Sequence, residues 1–115
     1  MEDLNQWRGE DVLDAGGDKI GKLEEIYYDS ESDQPLFLGV KIGHLSHRLA
    51  FVPFVGVSIG KGHLSTNQSK SVVQQAPAID PGTELMAERE SEIFGYYNLA
   101  YRPSSTPSGK RLVRR

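Results

Sequence analysis

The sequence predicts a mainly β fold, a small antiparallel β-barrel with a short helix and a C-terminal helix. Three observations support this. Short apolar segments within residues 10–65 are separated by glycine-containing and acidic turns at intervals of about 8–12 residues. Residues 36–42 alternate in polarity or size, as in a strand. The segment 19–29 has the irregular apolar spacing of a bent strand, and 115 residues are enough for one domain.

The first two strands are predicted at 11–15 and 19–29, with a glycine turn between them. Apolar residues of the second strand lie at Ile20, Leu23, Ile26 and Tyr28. Spacings of three interrupt the period of two, which predicts bulges near Gly21 and near the pair Glu24-Glu25. Bulges bend a strand, and bending allows a small sheet to close into a barrel.

The next strands are predicted at 36–42, at 48–52 before Pro53, and in the segments on either side of the turn at 60–62. We expect an open sheet edge near residues 36–42 or beside Pro53. Phe37 and Phe54 alternate out of phase with the core positions, which predicts that both are exposed at an interface. The predicted core comprises Ile20, Leu23, Ile26, Leu38, Val40, Phe51, Val52 and Val57.

Two helices follow the strands. The first is predicted at 69–76, with Ser69 as the N-cap and Pro77 at its end. The second is predicted at 84–97 and carries Met86, Ile93 and Tyr97 on one stripe. This stripe should pack on the barrel or on a second subunit, because it is too apolar to remain in water.

Charge divides the chain into an acidic body and a basic tail. Residues 1–101 hold all 16 acidic residues and 8 of the 13 basic residues, a net charge of −8. Residues 102–115 are rich in Pro and Ser, which predicts a disordered tail. The tail is either a solvated, disordered chain end without a partner, or it contacts an anionic lipid, RNA or an acidic protein surface. Its cations, the candidate contacts for such a partner, are Arg102, Lys110, Arg111, Arg114 and Arg115.

The absence of cysteine excludes disulfides and thiol chemistry. No apolar segment is long enough to span a bilayer, and the N-terminal residues lack the features of a signal peptide. The expected location is therefore cytoplasmic, with peripheral membrane contact through the tail as the only membrane association considered.

Three patterns invite a chemical interpretation. Residues 56–60 read G-x-S-x-G, but Ser58 lies in an alternating strand rather than at a strand-to-helix elbow, so a serine hydrolase is the weaker alternative. His44, His47 and His63 could bind zinc, although no carboxylate adjoins the H-x-x-H pair. Glu24-Glu25 is read as a solvated acidic pair. No catalytic, metal-binding or cofactor-binding residue is predicted.

The order of these elements resembles the PRC-barrel domain. The resemblance rests on G-x-D-V-L-D, G-G-D-K-I-G-K-L-E-E-I-Y-Y-D, P-L-F-L-G-V-K and F-V-P, and on the later A-P and Y-Y-N-L. It covers about residues 5–98. The family includes the cytoplasmic domain of the photosynthetic reaction centre H subunit, the C-terminal domain of the ribosome maturation factor RimM, and stand-alone bacterial proteins. It implies a β-barrel that acts as a protein-interaction module and not as an enzyme.

The sequence therefore predicts a non-enzymatic adaptor that binds a further, unidentified protein and forms a homodimer. The candidate interface comprises Phe37, Phe54, Met86, Ile93 and Tyr97. The tail should be dispensable for dimerisation, since its charges repel those of a second copy. The alternative is an RNA- or ribosome-associated maturation module that uses the barrel and the tail. The acidic body argues against contact with nucleic acid.

Overall fold

The computed structural model describes residues 4–44 and 47–115. The chain begins with a 3-10 turn, Leu4–Trp7, and a second one, Ala87–Arg89, precedes the last helix. The strands are β1 (Asp11–Leu13), β2 (Lys19–Asp29), β3 (Pro35–Ile42), β4 (Arg48–Pro53), β5 (Ser58–Ile59), β6 (His63–Ser65), β7 (Ala78–Ile79) and β8 (Leu112–Arg114). The helices are α1 (Lys70–Gln74) and α2 (Glu90–Tyr96).

The fold is mainly β, as predicted, and its eight described strands form one sheet. Seven strands follow the order β5-β6-β1-β2-β3-β4-β7, and β8 pairs with β2 beside this path. The prediction of a wholly antiparallel arrangement is wrong at one place, because β1 and β6 are parallel. Within the described residues β5 and β7, the ends of the path, do not pair with each other, so the sheet is not closed.

The predicted bulges are present in β2. The β1–β2 register shifts between Val12 and Leu13, opposite Gly21 and Lys19, and the β2–β3 register shifts between Leu23 and Glu25. A Cβ atom at position 21 would lie 2.1 Å from the Lys41 carbonyl oxygen. Glycine at this position therefore allows β2 and β3 to approach closely where the strand bends.

One face of the sheet carries the first apolar cluster, and most of the predicted core residues lie in it. Leu38 and Val40 of β3 are fully buried beside Leu23 and Ile26 of β2. Val57 packs against this cluster but is only partly buried. Val73 of α1 closes one side of it. The period-two pattern of β3 thus identified this face correctly.

The other face carries a second apolar cluster that the sequence did not predict. Phe37 is 0% exposed and lies with Phe51 on the sheet beneath α2. Its ring meets that of Phe94 edge-on, with 5.1 Å between ring centroids. The prediction that Phe37 is exposed is therefore wrong, because α2 and β8 cover the face to which it points. Phe51 was assigned to the core, and it is buried here rather than in the first cluster.

Both helices are shorter than predicted. Ser69 caps α1 as expected, with its hydroxyl accepting the Val72 N–H at 3.3 Å. The prediction of one helix over 84–97 is replaced by the 3-10 turn Ala87–Arg89 followed by α2. Met86, which has no side chain able to accept a capping hydrogen bond, precedes that turn and is 52% exposed.

One of the two predicted open edges is wrong. β3 lies between β2 and β4, so residues 36–42 are not at an edge. Beside Pro53 the edge is open as predicted, because β7 pairs only with Leu49 and Ala50 and the rest of β4 has no second strand partner among the described residues. The Tyr97 hydroxyl donates a 2.6 Å hydrogen bond to the Phe51 carbonyl there. The open ends of the strand path are β5 and β7.

The C-terminal segment is ordered in the structure, contrary to the prediction of a disordered tail. Leu112 is 1% exposed and Arg111 is 7% exposed, and β8 pairs with β2. The physical reason is that the basic residues meet carboxylates of the body. None of the helices in the described ranges is long and apolar enough to cross a membrane.

Candidate functional site: the acidic groove that holds the C-terminal strand

The groove is built on the C-terminal half of β2. Strand β1 pairs with the first part of β2, and β8 occupies the same side farther along. The antiparallel register places Tyr27 opposite Arg114, Tyr28 opposite Val113 and Asp29 opposite Leu112. We call this stretch of β2, together with the carboxylates of Glu25, Asp29, Glu31 and Glu90, the acidic groove.

Glu90 forms the floor of the groove. This residue is 0% exposed, and its carboxylate accepts hydrogen bonds from the backbone N–H groups of Arg111 and Leu112 at 2.9–3.0 Å. The Tyr101 hydroxyl donates a third contact at 2.8 Å. Burial and this bond to a carboxylate raise the pKa of Tyr101 to about 12. A buried carboxylate on α2 thus fixes the start of β8 through main-chain donors.

Arg111 connects β8 to the loop after β2. Its guanidinium Nη1 lies 3.0 and 2.9 Å from the two Asp29 carboxylate oxygens, and its Nη2 contacts Glu31. The Nε donates to the Arg102 carbonyl at 2.6 Å. This planar cation therefore satisfies three acceptors at a site that is almost closed to solvent.

The carboxylates on Arg111 are held in their charged form. Burial acts to raise the pKa of Asp29, but the Glu31 backbone N–H and the charge of Arg111 outweigh it, and the pKa is lowered. A hydrogen bond from the Ser105 hydroxyl, followed by the contact with Arg111, lowers the pKa of Glu31. Asp29 and Glu31 are therefore anionic over the neutral pH range.

The other predicted tail contacts lie around the groove. Lys110 pairs with Glu84 at 3.0 Å, Arg114 with Glu25 at 3.4 Å, and Arg115 with Asp33. Arg102 is exposed and its side chain makes no ion pair with any described residue. Four of the five candidate contacts for an anionic partner thus meet the chain's own carboxylates. Each of these pairs has at least one exposed partner, so each adds little to stability.

The predicted interface residues are not brought together on one surface. Phe37 and Ile93 are fully buried, and Tyr97 packs on the same second cluster. Phe54 is partly buried against the first cluster. Only Met86 of the five is exposed, beside the strand β7 at one end of the sheet.

The three most exposed large apolar side chains of the described residues lie instead near the two open ends of the strand path. Val55 is 69% and Ile59 is 42% exposed at the β5 end, and Met86 is 52% exposed at the β7 end. A shallow pocket of about 390 Å³ beside β7 is lined by Ala78, Ile79, Met86 and Arg89, among others. A strand that is paired on one side only and has apolar neighbours can add a strand from another chain.

A pocket of about 510 Å³ lies between β2, β3 and α1. Its floor is apolar, with Ile20 and Ile42, and its rim is basic. Asp11 pairs with two of the rim lysines, Lys19 at 3.3 Å and Lys22 at 3.0 Å. His44 and His47 are on the same rim, beside Lys41 and Lys70. This positive rim suits an anion better than a metal cation.

The residues with a possible chemical role remain separate. Ser58 lies in β5, which leads through a turn into β6 and not into a helix. His63 in β6 covers Gly60, and its Nδ1 lies 3.2 Å from the Lys61 carbonyl oxygen. Of the predicted acidic pair, Glu24 is exposed while Glu25 pairs with Arg8 at 2.9 Å. Across the described ranges no group of three His, Cys, Asp or Glu side chains could hold a metal.

Sequence reasoning missed the acidic groove. Asp29, Glu31 and Glu90 were read only as parts of an acidic body. The available signal was the segregation of charge itself, because a basic segment containing Leu112 and Val113 is suited to pair with an acidic strand edge. The charge pattern could not identify which carboxylates bind the basic segment, because these carboxylates are about 80 positions away in the sequence.

The fold and the groove define a small β domain that binds an extended segment through main-chain strand pairing and ion pairs. The sequence profile of the PRC-barrel domain matches residues 1–73, which is more than half of the chain. The chain therefore belongs to the PRC-barrel domain family, as the sequence motifs indicated. A comparison with curated proteins found no match.

Proposed function

We propose that this protein is a non-enzymatic adaptor that associates with itself and with a further protein. The observation that carries this proposal is that each end of the sheet has both an open strand edge and an exposed apolar side chain nearby. Membership of a family of interaction domains supports the same function. A cytoplasmic location belongs to the proposal too.

The self-contact is proposed at β7. This two-residue strand, Ala78–Ile79, pairs only with β4 among the described strands, and Met86 lies beside it. Two copies can pair β7 with β7 around a twofold axis, which buries Met86 from both sides. The short edge makes the contact weak, so a dimer is expected at micromolar concentration rather than below it.

Sedimentation velocity of the full chain tests this proposal. Met86→Lys should shift the protein toward monomer, whereas Ile59→Lys at the other end of the sheet should not. Monomer at every concentration for the unmodified chain would exclude self-association. A shift with Ile59→Lys alone would place the interface at β5.

The alternative of an RNA-associated module has less support. Its basic tail is engaged by the body's own carboxylates, which leaves Arg102 as the tail cation without an ion pair in the described residues. Salt-dependent RNA binding by the full chain would favour this alternative, and the net charge of −8 on residues 1–101 opposes it.

A further inference from the structure

The geometry points to the acidic groove as a strand-acceptor site whose ligand is the basic C-terminal segment of a second copy of this chain. In the single chain, residues 110–115 of the same molecule occupy the site. The inference deepens the proposed self-association and rests on it. It concerns a surface different from the β7 edge.

The groove has the features of a built binding site. Glu90 is completely buried, yet the only hydrogen bonds to its carboxylate within the described residues come from Tyr101 and from the N–H groups of Arg111 and Leu112. If the C-terminal segment left, this buried carboxylate would lose its main-chain donors, and Asp29 would lose its cation. An empty groove is therefore unfavourable, and a replacement strand should enter it.

The requirements of the groove define its ligand. Main-chain pairing with Tyr27, Tyr28 and Asp29 requires an extended segment. The apolar position filled by Leu112 requires an aliphatic side chain, and the carboxylate pair on Arg111 requires a guanidinium one position before it. An arginine followed by a leucine and a later basic residue, as in K-R-L-V-R-R, fits all these conditions.

The C-terminal strand is attached in a way that permits exchange. Strand β8 pairs only with β2 among the described strands, over three residues. Residues 102–109, which connect it to the body, contain Pro103 and Pro107 and form no strand or helix. The segment can therefore leave as one unit without breaking other strand pairs. Exchange of an identical element between copies is a low-cost route to a dimer.

Charge does not oppose exchange. The sequence suggested that the basic tails of two copies repel each other. In the structure, each tail lies on carboxylates of the body, and an exchanged tail would find the same partners on the other copy. Every contact of the single chain is reproduced, so the equilibrium depends on protein concentration and on strain in residues 102–109.

The chain contains no cysteine, which allows a direct test. Tyr28→Cys is made in one batch and Val113→Cys in another, because these residues are opposite each other in the register. The two proteins are mixed, incubated at high concentration and oxidised. The control mixture combines Tyr28→Cys with Lys61→Cys, an exposed position in the turn between β5 and β6.

Exchange predicts several-fold more disulfide-linked heterodimer in the first mixture than in the control, with a yield that rises with concentration. Equal yields in the two mixtures would overturn the inference. The unmodified chain gives a second measurement that needs no substitution. Isotope-filtered nuclear Overhauser contacts between Val113 of one copy and Tyr28 of another should appear in a mixture of labelled and unlabelled protein, and their absence from a protein that is dimeric would count against exchange.

A locked variant separates this inference from the β7 proposal. The double substitution Tyr28→Cys with Val113→Cys, oxidised at low concentration, fixes the tail on its own chain. Light scattering should show loss of the exchanged dimer when the lock is closed and its return when the disulfide is reduced. A locked protein that stays dimeric and becomes monomeric only with Met86→Lys would support the β7 contact and exclude exchange as the source of the dimer.

Discussion

The two faces of this sheet are covered in different ways. The first cluster is formed within residues 4–78 by apolar side chains that alternate along β2, β3 and β4. The second is completed by α2 and β8, and its outer boundary is charged, with Glu90 and Arg111 both buried. The first face is formed by hydrophobic patterning alone. The second face shows that a polar, basic segment can become part of a core when carboxylates bind its cations and main-chain N–H groups.

Adjacent residues of β3 allow the two faces to be compared directly. Leu38 faces the first cluster and Phe37 the second, and both are 0% exposed. Leu38→Ala should lower the free energy of unfolding by about 2–4 kcal/mol and Phe37→Ala by about 3–5 kcal/mol. Urea denaturation measures both, with the exposed Val55→Ala as the control. A loss below about 0.5 kcal/mol for Phe37→Ala would mean that α2 and β8 do not cover that face.

Arg111 tests the charged boundary of the second face. Arg111→Met retains side-chain length but leaves Asp29 without its cation in a nearly closed site, so a loss of about 3 kcal/mol is expected. Arg102→Met is the matched control, because Arg102 is exposed and has no ion pair in the described part of the chain. Equal unfolding midpoints for the two variants would show that β8 is held by Leu112 rather than by charge.

The same boundary should respond to acid. The pKa values of Asp29 and Glu31 are lowered in the folded protein, so their charged contacts stabilise it above the ordinary carboxyl range and this contribution is lost as the pH falls through the lowered values. The difference in melting temperature between the unmodified protein and Arg111→Met should narrow below about pH 4. A difference that is constant from pH 7 to pH 3 would contradict this assignment.

The smallest effect is expected at Tyr27, which is paired with Arg114 of β8. Its hydroxyl is buried and makes no hydrogen bond to any described residue, and burial raises the pKa of Tyr27 to about 12. Removal of an unpaired polar group is close to neutral or slightly favourable, so Tyr27→Phe should change stability by less than about 1 kcal/mol. A larger loss, measured by the same denaturation, would indicate a partner for the hydroxyl.

The sequence predicted the first face well because that face depends on local order. Apolar spacing in β2 located two of the three register shifts in its pairing with β1 and β3 and missed the one between Tyr27 and Tyr28. The alternation of β3 placed Leu38 and Val40 in the core. Each of these features can be read within about ten residues of sequence.

The second face could not be read in this way. Phe37 was assigned to an exposed surface because the alternation along β3 was interpreted as one buried face and one solvent-exposed face. The continuous apolar segments Leu36-Phe37-Leu38 and Leu49–Val52 are typical of strands buried on both sides, and this signal was available. The arrangement of Glu90, Asp29 and Arg111 depends on tertiary contacts between distant segments, which no local pattern specifies.

The pairing of β2 with β8 also sets an order of events during synthesis. Arg111 and Asp29 are 82 positions apart, so the contact closes a loop that contains most of the domain. Contacts of such long range form late, after local hairpins such as β2–β3. On the ribosome, β2 through α2 are translated before Arg111. The Glu90 carboxylate therefore lacks its main-chain donors until Arg111 and Leu112 have been added. We expect the nascent domain to resist proteolysis only after residues 111–114 have left the exit tunnel.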